Sequence, residues 1–221
     1  VEFGMFDNSL MFQLEGFYNN RKNIACNGSE TVSEVLGVGV PIIFTGETVN
    51  YGAELSATWR KTIGDFSYNI GGNISYSKNR IIEAAEGHVP YEWQRIAGTQ
   101  IGEMYGYEPV GFYQQEDFNA DGSLKEGVVA SGLISTLRPG DVKYNDLNED
   151  GVIDENDAKY HGVSTWPSLY YGINLGMEYK NFGFQAMFQG AGDFMVYTNL
   201  ANVYQPLYNN DKNISKHYLE N

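Results

Sequence analysis

Runs of about ten residues in which apolar and polar side chains alternate constrain this chain most, because a strand points successive side chains to opposite faces. The clearest starts at Phe66: Phe66, Tyr68, Ile70, Gly72, Ile74 and Tyr76 share one face, and Ser67, Asn69, Gly71, Asn73, Ser75 and Ser77 share the other. Four more follow the same rule. Leu10, Phe12, Leu14, Gly16 and Tyr18 oppose Met11, Gln13, Glu15, Phe17 and Asn19, while Ala53, Leu55, Ala57 and Trp59 oppose Gly52, Glu54, Ser56, Thr58 and Arg60. Leu169, Tyr171, Ile173, Leu175, Met177 and Tyr179 oppose Tyr170, Gly172, Asn174, Gly176 and Glu178, and Phe184, Ala186 and Phe188 oppose Gln185, Met187 and Gln189. No apolar face in these runs carries a charge.

A soluble β-sandwich also buries one face of each strand, but its strands cluster near 5–6 residues. A strand tilted across a bilayer needs roughly 9–11, and four of the five runs reach or approach that span. The polar faces are rich in Gly, Ser and Asn and nearly empty of Lys, which suits a wet lumen better than an outer surface. Joins near Asp7-Asn8-Ser9, 61–65 and 180–183 are short, and they alternate with long segments over about 25–51, 80–167 and from 190 onward. Short turns on one side and long loops on the other predict an all-β fold: part of a transmembrane antiparallel β-barrel with long extracellular loops.

Composition sets outer limits. At 42% hydrophobic residues and a mean hydropathy of −0.38, no run is long enough for a transmembrane helix, so a membrane is crossed as β-structure or not at all. The 17 Tyr and 12 Phe suit aromatic girdles at barrel rims. A formal charge of −14, with only 14 scattered Lys and Arg, excludes nucleic acid as a partner. The single Cys26 allows no intrachain disulfide, and no zinc-ligand spacing is present. Val1 opens the chain without a basic region or an apolar h-region, which predicts no signal peptide and an interior piece of something longer. Five or six strands cannot close a barrel, so the barrel reading requires strands from elsewhere.

One motif carries chemistry. Asp146-Leu147-Asn148-Glu149-Asp150-Gly151-Val152-Ile153-Asp154-Glu155-Asn156-Asp157 follows the twelve-residue calcium loop, with oxygen-bearing side chains at positions 1, 3 and 5, glycine at the sharp turn and a backbone carbonyl at 7. The expected ligands are Asp146, Asn148, Asp150, the Val152 carbonyl, Asp154 and Asp157, with Ile153 as an apolar anchor. Asp157 departs from the usual Glu by one methylene, which points to the weaker affinities of extracellular modules. The same residues also make an Asx-turn loop that needs no metal. A second run, Asp117-Phe118-Asn119-Ala120-Asp121-Gly122-Ser123-Leu124, starts alike and then fails at Lys125 and Val128, so it reads as a turn.

No nucleophile elbow, phosphate loop or H-E-x-x-H is present, and His88, His161 and His217 stand apart in loop-like sequence, so the chain reads as a non-enzyme. The sequons at Asn27, Asn73 and Asn213 are assigned no role.

The run Pro139-Gly140-Asp141-Val142-Lys143-Tyr144-Asn145 leading into the calcium-type loop, followed by Gly162, Pro167 and Tyr171-Gly172-Ile173-Asn174-Leu175-Gly176, resembles SusC/RagA-like TonB-dependent outer-membrane transporters. Ile101-Gly102-Glu103-Met104-Tyr105-Gly106-Tyr107-Glu108-Pro109-Val110-Gly111-Phe112-Tyr113 is similar to the family segment preceding that loop, and 46–55 is similar to its strand-entry motif. The resemblance implies a 22-stranded barrel of the Gram-negative outer membrane with an N-terminal plug. It also implies TonB-driven uptake of oligosaccharides or peptides delivered by a SusD-like surface lipoprotein, and it admits a dimer of transporter–lipoprotein pairs. Residues 1–221 would then be a late portion of one barrel domain without plug, TonB box or terminal aromatic strand. Residues 80–167 would be a long extracellular insertion holding the calcium-type loop at 146–157, with Ca²⁺ in a structural role. Tyr105, Tyr107, Phe112, Tyr113 and Trp166 are candidates to stack on sugars. The competing reading is a secreted or surface-displayed, calcium-stabilised β-domain that binds glycan or protein, in which the apolar faces lie between two stacked sheets.

Overall fold

The computed structural model describes residues 1–28, 37 and 40–198. Each alternating run becomes a strand of one antiparallel sheet, which gains a short edge strand the pattern did not mark: β1 (Glu2–Met5), β2 (Leu10–Asn27), β3 (Ile42–Ile63) and β4 (Phe66–Glu83) lie side by side in chain order. Six short strands of an insertion follow: β5 (Glu103–Gly106), β6 (Pro109–Phe112), β7 (Ala130–Ser131), β8 (Val142–Tyr144), β9 (Val152–Ile153) and β10 (Lys159–Ser164). The chain then returns to the main sheet, where β11 (Leu169–Tyr179) pairs with β4 and β12 (Phe182–Gly192) forms the far edge.

Register turns the alternating pattern into continuous rows. Leu10, Trp59, Ile70, Leu175 and Ala186 are neighbours across β2, β3, β4, β11 and β12, and the next row is Phe12, Ala57, Gly72, Ile173 and Phe188. The opposite face reads Gln13, Ser56, Asn73, Gly172 and Gln189 in the same way. At one end Ile63, Phe66, Tyr179 and Phe182 make a largely aromatic row, and at the other Tyr18 and Tyr51 pair beside Tyr76. From Phe66 to Tyr76 the strand covers roughly 33 Å at about 3.3 Å per residue. Tilted by about 40–45°, this is roughly 25 Å of height, the apolar band of an outer-membrane barrel wall.

Nothing covers that band among the described residues. Leu14 and Ile70 are each 50% exposed, Ile173 is 48% and Phe188 is 62% exposed. The buried apolar side chains are elsewhere: Tyr113, Phe118, Ile153 and Ala158 in the insertion, and Val49 in β3. A two-sheet sandwich would show the reverse, because its sheet faces would be the buried ones.

The polar face is laced by its own hydrogen bonds. Ser75 donates to Glu54 (2.9 Å), Gln13 donates to Glu15 (2.6 Å), and the Thr62 and Ser67 hydroxyls share a 2.9 Å bond. Gly176 leaves room for the Asn69 carboxamide, which a Cβ there would push aside.

The turns sort by length as expected. Gly64-Asp65 joins β3 to β4 and Lys180-Asn181 joins β11 to β12, with Gly64 and Lys180 at φ +59° and +51°. Positive φ at that position is what a two-residue hairpin requires. Element lengths differ from the expectation: β2, β3 and β4 run for 18, 22 and 18 residues, about twice a bilayer crossing. Part of the segment expected as loop over 25–51 is therefore strand from Ile42. The insertion expected over 80–167 likewise begins after Glu83, where β4 ends.

Candidate functional site

The insertion between β4 and β11 is a small fold with its own core. β5 pairs with β10, β6 with β8, and β7 runs parallel to β9. Tyr113, 1% exposed, fills the centre and donates its hydroxyl to the Val129 carbonyl at 2.8 Å, with the Phe118 ring 6.1 Å away and the Lys143 ammonium 5.1 Å over its face. Burial pushes the Tyr113 phenol up, helped by Asp117 and Asp141. Two ion pairs pin the periphery. Lys159 reaches Glu108 at 2.6 Å and Lys143 reaches Asp117 at 3.2 Å. Lys159, with Asn145, holds the Glu108 carboxyl below its usual range, and the Gln114 backbone N–H, then Lys143, does the same for Asp117.

The calcium-type loop sits on this core. Ile153 is fully buried and β9 holds it beside β7, as expected of an apolar anchor. Asp146 accepts from the Asp150 and Gly151 backbone N–H groups at 3.2 and 2.8 Å. Asn148 accepts from Asp150 N–H (3.2 Å) and donates to its carboxylate (2.9 Å), while Asp150 accepts from Val152 N–H (2.9 Å). Gly151 takes φ +89°, the conformation its position demands. Asp157 closes the loop, accepting from Leu147 N–H and Asp154 N–H at 2.8 Å each, and Asp154 accepts from Asn156 N–H.

These residues are gathered into one loop by Asx-type bonds. Among the described residues, no three His, Cys, Asp or Glu side chains stand together at metal-holding spacing. The donor chemistry fits a hard cation, since every expected ligand offers oxygen. Asp157 supplies the structural observation on that side: it is 0% exposed and pairs with no cationic side chain among the described residues. A buried carboxylate is stabilised by a cation or by N–H donors, and here two N–H groups serve.

Sequence reasoning missed the clip that holds the loop from outside. Trp93 donates its indole N–H to the Asn156 carbonyl (2.9 Å), Gln94 donates to the Glu155 carbonyl (3.1 Å), and Asn148 donates to the Tyr91 hydroxyl (3.2 Å). Tyr91 and Trp93 stack with ring centroids 4.5 Å apart. Two aromatics and an amide more than fifty residues upstream gave no local signal of this. The second acidic run, 117–124, is a turn, with Asp121 accepting from the Ser123 N–H and hydroxyl.

The five candidate stacking aromatics separate. Tyr113 belongs to the core, which corrects its expected role, and Tyr107 is half-buried against Tyr144 at 5.5 Å. Tyr105, Phe112 and Trp166 remain exposed, but Tyr105 leans on Tyr160 at 4.8 Å. Trp166 lines a cleft against the main sheet, of about 610 Å³. Its rim is fixed where Ile101 N–H donates to Asn79 (2.6 Å) and Ser77 N–H donates to the Ser168 carbonyl (2.9 Å).

An apolar, girdled outer face, a polar inner face and alternating short and long connections define one wall of a transmembrane β-barrel. No family model matches the chain. TonB-dependent receptor P3 of Formosa agariphila is 30% identical over 215 residues, covering 90% of this chain and 20% of its own length. TonB-dependent receptor P26 of the same organism is 26% identical over 199 residues, covering 89% and 20%. The fold matches the RagAB peptide importer in its open–open state with a TM-score of 0.60 at 15% identity, over 86% of this chain and 19% of that one. A second RagAB peptide transporter structure gives 0.56 at 16% identity, over 85% and 20%. By sequence the chain belongs with the TonB-dependent receptors, it shares its fold with a stretch of the RagAB importer, and it spans about a fifth of the length of the curated relatives it matches.

Proposed function

We propose that the full-length protein is an outer-membrane importer that takes up oligosaccharides, or peptides, delivered by a SusD-like lipoprotein and driven by TonB. The observation that carries this is the register-aligned apolar band: it lies exposed on one face, about 25 Å tall by strand geometry, while the other face is polar. Transport needs no catalytic residue; it needs a polar wall, loops that contact cargo and an energised partner. The insertion supplies the loops, and Trp166 stands exposed over the inner wall.

The calcium-type loop has a structural part in this reading. Asp146, Asn148, Asp150, the Val152 carbonyl, Asp154 and Asp157 would hold Ca²⁺, which would offset half the charge of the four carboxylates and stiffen the insertion where a lipoprotein docks or cargo enters. The Trp93 clip and the buried Ile153 support a loop whose shape matters to its surroundings.

Uptake of fluorescent oligosaccharide and peptide pools by cells carrying the full-length gene tests the reading. Accumulation should vanish when either TonB or the SusD-like lipoprotein partner is deleted. Accumulation unchanged by TonB deletion would overturn it.

A further inference from the structure

We propose that the cleft under Trp166 is a subsite for the acidic group of an oligosaccharide, with Arg21 as the recognising cation; this deepens the import reading and rests on it for its cargo class. The chain holds 28 acidic against 14 basic residues, yet none of the residues lining this cleft is acidic, and Arg21 is among them. The Arg21 side chain is exposed and makes no hydrogen bond or ion pair to any described residue. A guanidinium left unpaired in so acidic a chain, at the end of an otherwise neutral cleft, is set to receive an anion by two parallel N–H bonds.

The surroundings select the carrier of that anion. Asn19, Asn50 and Asn79 are opposite one another across β2, β3 and β4, one row below the Arg21–Thr48 pair. Adjacent strands stand about 4.8 Å apart, so the row offers carboxamides at nearly regular intervals. Asn79 holds the Ile101 N–H, whereas Asn19 and Asn50 have no side-chain partner among the described residues. Each carboxamide both donates and accepts, which suits vicinal hydroxyls. Trp166 and Tyr170, 63% and 47% exposed, add flat faces on the same cleft. Aromatic faces for C–H surfaces, amides for hydroxyls and one Arg for a carboxylate or sulfate together describe an acidic sugar chain. An acidic peptide would use the Arg but leave the amide row and the two aromatic faces with less to do.

The test is calorimetric titration of the purified full-length transporter with short oligogalacturonate, oligoalginate and a sulfated oligogalactan. Methyl-esterified oligogalacturonate serves as the neutral control and a short oligoglutamate as the peptide control. At least one acidic sugar should bind, and Arg21→Gln should weaken it about tenfold or more, the range for a lost charged hydrogen-bond pair. The methyl ester should bind Arg21→Gln and wild type alike. Arg21→Lys should recover part of the loss, and Trp166→Ala should weaken charged and neutral sugars together.

The proposal fails if no acidic sugar binds, if Arg21→Gln stays within twofold of wild type, or if only oligoglutamate depends on Arg21. Binding is read without TonB, so TonB-independent uptake would sink the import reading alone, and Arg21-independent binding would sink this one alone.

Discussion

Replacing Ile70 with Arg in the full-length protein is the sharpest perturbation of the barrel wall. Ile70 lies four residues from Phe66 and six from Tyr76 along β4, so the girdle rows are roughly 13 and 20 Å away along the strand. With a tilt of about 40° these become roughly 10 and 15 Å of height, which puts Ile70 about 3 Å from the middle of the apolar band. Ile70 is 50% exposed on that face, between Trp59 and Leu175, so the larger part of the cost is that of a cation in hydrocarbon. For Arg near the midplane this is about 2–4 kcal/mol. Asn174→Arg is the control, since Asn174 sits beside Gly71 on the opposite face and a lumenal Arg should change stability by about 0.5 kcal/mol or less. Urea titration of the protein folded into lipid vesicles, followed by tryptophan fluorescence and electrophoretic heat-modifiability, reads both. Equal losses for the two variants, or a larger loss for Asn174→Arg, would refute the assignment of faces.

In native outer membranes, calcium should slow protease cleavage near Asp150 severalfold. Chelation should remove that protection, and Asp157→Asn should make cleavage insensitive to calcium; cleavage at one rate with and without chelator would reject the structural role. Glu108 and Asp117 both titrate lower in the folded insertion than in an unfolded chain, so each favours folding above about pH 4 and loses that contribution as pH falls through its depressed folded value. Protease resistance of the insertion should therefore drop as pH is lowered from about 5 toward 3, and Glu108→Gln should flatten the profile; a Glu108→Gln profile identical to wild type would remove Glu108 from this account.

Where the two faces of a strand meet different media, the sequence was readable. Phe66 to Ser77 alternates without a break because β4 there has lipid on one side and a wet wall on the other, and its face assignment holds row by row across the sheet. Above the girdle the pattern fails: Asn20-Arg21-Lys22-Asn23 belongs to β2, yet neither face needs to be apolar, and a register shift between Arg21 and Ile24 with Asn23 at φ +56° breaks the period as well. That is why β3 seemed to start near Gly52 rather than at Ile42. The calcium-type loop announced its turn through Gly151 and its anchor through Ile153, because those demands are local. Its partners Trp93 and Gln94, and the core position of Tyr113, depend on contacts that close only when 84–168 folds, and no spacing rule encodes them.

Nitroxide scanning of residues 66–77, with Cys26 replaced by Ser in the full-length protein reconstituted in lipid, tests the two-faced wall most directly. Collision rates with oxygen and with a polar nickel chelate should oscillate with a period of two and opposite phase, oxygen highest at 68, 70, 72 and 74 and nickel highest at 69, 71, 73 and 75. Nickel access equal at both sets, or oxygen access highest at the odd positions, would contradict the account.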